Sequence, residues 1–264
     1  MTVVLPRWLW PLVTGLLVLL GAGALAAAAV LPAGGAGGVQ RDAASAEAAP
    51  VPTLAPMPTL GPTDAPVDRS DDLGIPVHDR ADAAWVAEVA AATGIPERAL
   101  AAYAGASIEA GERFPACGLG WNTLAAIGLV ESEHGTMNGA SIGPDGVAAP
   151  TIVGVALDGQ GVGSVPDTDG GALDGDPVWD RAVGPMQVIP ETWNRYGQDG
   201  DRDGVVEVND IDDAALAAAV LLCSTGGDLT TSDAWIAAVG AYNASVEYNN
   251  RVADAATRYA TTAG

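Results

Sequence analysis

Residues 8–31 contain no charged side chain: every position is apolar, glycine, proline or threonine, and Arg7 stands just before the run. About 20 such residues are enough to cross a bilayer as a helix. The run therefore predicts a membrane span rather than part of a water-soluble core. Arg7 on the short side fits an N-terminus held in the cytoplasm, so residues 1–32 read as a cytoplasmic stub and a transmembrane signal-anchor. The alternative is a cleaved secretory signal, with the alanines at 24–29 marking where a peptidase would cut. Either way the rest of the chain lies outside the cytoplasm, tethered to the membrane or secreted. Residues 33–78 are rich in Pro, Ala, Gly, Ser and Thr, as in PVPTLAPMPTLGPTDAPVD. Such a stretch buries too little apolar surface to fold, and its prolines favour an extended spacer. A disordered linker is expected there, leaving residues 79–264 for the folded domain.

Charge narrows the partners. The chain carries 33 acidic and 11 basic residues, a formal net charge of -22, and its basic residues are all arginine. Nucleic-acid binding depends on Lys and Arg neutralising phosphates, so that class is excluded. Cys117 and Cys223 show no CxxC spacing. Outside the cytoplasm they are expected to pair as a disulfide closing a long loop; the alternative is two buried thiols.

Periodicity in the third part is helical. Candidate helices are AAWVAEVAAATG, IPERALAAYAGASIEAG, WNTLAAIGLVESEHG, DDAALAAAVLLCSTGG and DAWIAAVGAYNASVEYNNRVADAATRYA. The interval 138–181 is instead full of Gly, Asp and Pro, and its TIVGVALDG reads as a short strand or hairpin. The expected fold is mainly α, one helical domain with an irregular or β-hairpin insertion, acting as a monomer.

Within WNTLAAIGLVESEHG, Leu124, Ile127 and Glu131 are spaced i, i+3, i+7, which turns the carboxylate toward the apolar face. Glu131 also lies in the last turn before a glycine suited to a left-handed cap, Gly135. Burial and the negative helix end would both raise its pKa, as a general acid near neutral pH requires. Periodicity alone equally allows a helix-end glutamate turned to solvent, as Glu133 is by its position.

The stretch GLVESEHG resembles the Glu-Ser motif of lytic murein transglycosylases. GPMQVIPETW resembles their second motif and AYN at 241–243 their third, in the right order. The likeness spans roughly residues 85–259 and is nearest to the membrane-bound type B branch in its actinobacterial form. It implies a lysozyme-like domain that cleaves the β-1,4 bond between N-acetylmuramic acid and N-acetylglucosamine in peptidoglycan strands, leaving 1,6-anhydromuramoyl ends. Glu131 would be the sole catalytic residue, acid and then base. Ser132 and Gln187 would contact the sugar, Tyr242 and Asn243 would lie close to Glu131, and Tyr248 would line the cleft or else pack in the core. A lysozyme-like muramidase is the alternative chemistry. It needs a second carboxylate, with Asp145, Asp167, Asp169, Asp174, Asp176 and Asp180 available in the insertion. An inactive wall-binding module is the alternative class.

In DGDRDGVV, Asp199, Asp201 and Asp203 stand at positions 1, 3 and 5 of an EF-hand-like loop, with Gly204 at 6 and the Val205 carbonyl at 7. Asp210 occupies position 12 in place of glutamate. The resemblance implies that the last ligand comes later, at Asp213, with Asp210 free to cap the next helix. A structural calcium ion is expected, with no cofactor for catalysis. The acidic stretch SVPDTDGGALDGD fits no ligand template, and His134 reads as a surface histidine near a helix end.

Overall fold

Local signals set most helix ends. α1 (Ala83–Thr93) starts where the Asp82 carboxylate accepts the Trp85 amide at 2.9 Å, and it stops at Gly94 with φ 75°. α2 (Glu97–Arg113) follows Pro96, and α3 (Trp121–Ser132) follows Gly120. After the insertion come α4 (Pro190–Tyr196) and α5 (Ile211–Gly226), the latter capped by Asp210, which accepts the amides of Asp212 and Asp213. α6 (Ser232–Tyr242) and α7 (Val246–Ala263) complete the chain. The computed structural model describes residues 74–263, so the expected membrane span and almost all of the expected linker lie outside the described residues. Among the described residues no helix is long and apolar enough to cross a membrane. They are mainly helical, as expected.

α3 is the axis of the fold. Its residues from Trp121 to Gly128 are all buried, the condition of a helix enclosed by others rather than lying on a surface. α2 and α7 flank it, α5 packs along α2, and α6 packs on α5. Alanines line the buried faces of α2 and α5 and let the two backbones approach closely. Gly128 is required where it stands, because a Cβ there would fall on the hydroxyl of Tyr103 from α2. Gly105 likewise leaves room for a 3-10 turn at Val77–Asp79 to lie across α2, against the Val77 carbonyl. That turn is tied in further, with the Val77 amide donating to the Gly200 carbonyl at 2.9 Å. The packed domain therefore takes in Val77 and His78, which composition assigns to the linker.

Cys117, before α3, is bonded to Cys223 near the end of α5, 106 residues later, with 5.4 Å between the Cα atoms. The expected pairing is present. The insertion forms two small antiparallel sheets. β1 (Ser141–Ile142) pairs with β2 (Ala148–Ala149), and β3 (Val153–Ala156), from TIVGVALDG, pairs with β4 (Arg181–Val183) across an irregularity. The last predicted helix is in fact two. The chain breaks at 243–245, where the Asn243 carboxamide oxygen accepts the Ser245 amide and the Asn249 side chain donates to the carbonyls of Asn243 and Ser245. These local bonds substitute for helical ones, and the break gives α6 and α7 different directions.

Candidate active site and metal loop

Glu131 lies in the last turn of α3 and is only partly exposed. Burial raises its carboxyl to a pKa of about 7, opposed by a hydrogen bond from Tyr248 and by the charge of Arg251. The Tyr248 hydroxyl, on α7, donates to Glu131 Oε1 at 2.5 Å. Tyr248 is 7% exposed, and burial followed by the neighbouring Glu131 charge keeps its phenol protonated. Packing and a polar role therefore coexist in this residue: the ring is core and the hydroxyl reaches the acid. Tyr242, at the end of α6, also feels the Glu131 charge, and its hydroxyl donates to the Met186 carbonyl at 2.7 Å.

Met186 belongs to the turn that carries Gln187. β4 runs into a tight reversal in which Val183 and Val188 exchange both backbone hydrogen bonds. Gln187 sits at φ 47° with its carboxamide donating to the Gly184 carbonyl at 3.0 Å. Gln187 and Tyr242 line one pocket, with Val188, Ile189, Thr192, Leu221 and Ala241. The structure thus brings Glu131 and Tyr248 into contact, places Tyr242 beside them, and joins Tyr242 to Gln187 through Met186 and this pocket.

Two expected site residues stand elsewhere. Ser132 is 1% exposed, and its hydroxyl both donates to the Pro185 carbonyl and accepts the Gly135 amide, at 2.5 and 2.8 Å. A sugar contact through that hydroxyl is therefore corrected to an internal role, fastening the end of α3 to the Gln187 turn. Asn243 is exposed at the α6–α7 break, where its side chain is bound to Ser245.

His134 is corrected outright: it is 5% exposed, not a surface residue. Its ring lies between Tyr103 of α2, whose hydroxyl is 3.3 Å from Nδ1, and Tyr259 of α7, whose hydroxyl is 2.9 Å from Nε2. Burial and then the charge of Arg258 lower its pKa to about 4, so it is neutral. The chain here holds three consecutive left-handed residues, Glu133, His134 and Gly135, at φ 54°, 59° and 80°. The left-handed cap thus begins two residues before the glycine. Each non-glycine residue in that region costs about 1–3 kcal/mol and persists where surrounding contacts over-determine it. Sequence reasoning missed His134 because its partners lie 31 and 125 residues away. Arg251, also missed, is on α7 one turn beyond Tyr248, the i, i+3 spacing of a shared face.

In the acidic loop, Asp199, Asp201 and Asp213 each bring one carboxylate oxygen within 4.8 Å of the others. Calcium takes oxygens at about 2.3–2.6 Å, so ligands on opposite sides of one ion would stand at about this separation. Asp199 Oδ1 is buried with no hydrogen-bond partner among the described residues, an orphaned acceptor of the kind a cation satisfies. Burial, with repulsion from neighbouring carboxylates, raises Asp201, and it raises Asp213 to about 7. The three carboxylates could hold a metal ion. Asp203 is exposed and accepts the Val205 amide at 2.7 Å, so Asp203 and Val205 lie at the outer edge of the loop. Asp210 caps α5, and of the two alternatives for the last ligand it is Asp213 that joins the cluster. Asp213 also accepts the amides of Gly200 and Glu207, which closes the loop on α5. Behind the loop, Arg202 donates to the fully buried Glu109 of α2, which Arg80 and Arg113 also face. In the insertion, Asp167, Asp169 and Asp180 also converge, but their oxygens accept backbone amides and the Thr168 hydroxyl.

Comparison of the chain with protein-family models, with curated proteins and with solved structures gives no match.

Proposed function

We propose that the chain is a lytic transglycosylase that cleaves the N-acetylmuramic acid to N-acetylglucosamine bond of peptidoglycan strands, acting outside the cytoplasm. One observation carries the reading. Glu131 is a partly buried acid near neutrality, hydrogen-bonded by a tyrosine from another helix, and the charge that acts on it is an arginine's. A two-carboxylate hydrolase would need a second acid about 5–9.5 Å away. The insertion's aspartates are engaged in their own turns: Asp174 accepts the amides of Asp176 and Arg181, and Asp176 pairs with the Arg181 side chain.

The chemistry then runs through one residue. Protonated Glu131 gives its proton to the glycosidic oxygen, and the C1–O4 bond breaks with the electrons leaving on oxygen. The substrate's own acetamido oxygen supports the positive anomeric carbon. Glu131, now ionised, takes the proton of the C6 hydroxyl as that oxygen bonds to C1, and no water is consumed. Burial favours the protonated form needed first, and the Tyr248 hydrogen bond favours the ionised form needed second. Gln187 and Tyr242, which share one pocket, would contact the strand. Calcium, held by Asp199, Asp201 and Asp213, would neutralise that cluster and fasten the loop to α5; it takes no part in the reaction.

Digestion of purified peptidoglycan tests this by the product ends. Mass spectrometry should show 1,6-anhydromuramoyl ends, abolished by Glu131→Gln. Reducing ends alone would establish a muramidase, and strand binding with no cleavage by either form would establish a wall-binding module.

A further inference from the structure

We propose that His134 is a positioning residue: as a neutral bridge between Tyr103 and Tyr259 it fixes the left-handed turn that sets the Glu131 carboxyl beneath Tyr248. The inference rests on the assignment of Glu131 as the working acid. Its ground is geometric. Three consecutive left-handed residues follow the helix directly after Glu131 and Ser132. The backbone holds part of that turn, with the His134 amide bonded to the Gly128 carbonyl at 2.9 Å, the Glu133 amide to Leu129 at 3.1 Å and the Thr136 amide to the Ser132 carbonyl at 3.0 Å. The rest is side-chain work. Ser132 ties the turn to Pro185, and His134 ties it to the two helices that flank α3.

The bridge sits beside a cation. The Arg258 guanidinium lies over the Tyr259 ring, 5.3 Å from its centroid. A neutral imidazole has one donor and one acceptor, so His134 donates to one tyrosine hydroxyl and accepts from the other. An imidazolium would add a second positive charge beside that guanidinium, so the site selects the neutral form by its neighbour as well as by burial. Tyr103 meets α3 at Gly128, one turn before Ser132, which closes the circuit on the helix that carries Glu131. Tyr248 and Tyr259 are both on α7. One helix therefore supplies both the contact to the acid and the contact to the bridge.

The experiment uses the full chain with 13C-labelled glutamate and compares wild type, His134→Phe and Tyr259→Phe. His134→Phe keeps an aromatic ring but removes both hydrogen bonds, and Tyr259→Phe removes one of them without touching the turn. In variants whose circular dichroism matches wild type, the Glu131 carboxyl titration should move by about one unit or more, and kcat should fall at least about tenfold with KM nearly unchanged. The double variant should lose no more than His134→Phe alone, because the three rings act as one unit. His134 15N shifts should report a neutral ring. An unchanged Glu131 titration in folded His134→Phe overturns the inference whatever the activity. An inactive wild type whose Glu131 titration still follows His134 would refute the proposed function and leave the positioning role standing. If His134→Phe fails to fold, Tyr259→Phe carries the same comparison.

Discussion

At the scale of single residues, the site is a balance of two effects on one carboxyl. Burial raises Glu131, and the 2.5 Å bond from Tyr248 partly returns it. Removing the phenol leaves burial unopposed, so Tyr248→Phe should raise the Glu131 pKa above its wild-type value of about 7. A reaction that begins with protonated Glu131 is lost as pH rises through that pKa. The alkaline limb of the pH–rate profile should therefore start near pH 7 in wild type and move upward in the variant. Hydrogen bonds to charged groups contribute about 1.5–3 kcal/mol, so kcat should also fall roughly tenfold or more, because the ionised form needed second loses its partner. A limb that stays in place or moves down would contradict the assignment. The carboxylate was the most legible residue of the site: its spacing from Leu124 and Ile127 allowed an inward position, and the ordered motifs singled it out. Its environment was not legible. Ser132 reads as a ligand in sequence, and only the short distance to Pro185, 53 residues on, turns it inward.

Among elements, the sequence was clear wherever an apolar run was long. α1, α2, α3 and α5 appear close to their expected limits because burying a helical stripe is what those runs are for. The α6–α7 break was invisible, since Asn-Ala-Ser contains neither proline nor glycine and its bends come from side-chain bonds to nearby backbone. α4 is only 7 residues long and was not read as a helix, being too short for periodicity to show. The elements are joined by a buried charge cluster that no pattern announces. Glu109 on α2 faces Arg80 from the N-terminal turn, Arg113 one turn along, and Arg202 from the metal loop. Removing one member of a buried ion cluster strands the others, at about 3–5 kcal/mol. Glu109→Gln should lower the stability seen in urea unfolding by roughly this amount. A loss of under about 1 kcal/mol would show that the arginines find other partners.

For the whole molecule, the acidic loop should make stability depend on a divalent cation. Three carboxylates converge beside an orphaned oxygen, two of them raised, and the loop is fastened both to α5 and to the N-terminal turn. Binding of an ion to the folded state alone stabilises by about 2.7 kcal/mol at a hundredfold excess over Kd. Chelation should therefore lower Tm by several degrees, calcium should restore it, and Asp213→Asn should abolish the difference. A Tm indifferent to both would leave the cluster a solvated acidic turn. The overall plan, a mainly helical domain with an irregular insertion, was readable from periodicity, whereas the central place of α3 was not. The way the insertion feeds Gln187 toward the site depends on the exchange between Val183 and Val188, a tight reversal with no distinctive composition.

The disulfide encloses only part of the site. A chain emerges N-terminus first, and the 106-residue loop can close only once Cys223 has appeared. By then Glu131, the insertion, Gln187 and the acidic loop have all emerged, while α6 and α7 have not. Tyr242, Tyr248 and Tyr259 lie beyond Cys223, so the cross-linked loop does not include them. Until the last helix docks, Glu131 lacks its phenol and His134 one of its two partners. A chain cut after Cys223 would keep its cross-linked loop yet lack the Tyr248 contact to Glu131 and the Tyr259 contact to His134.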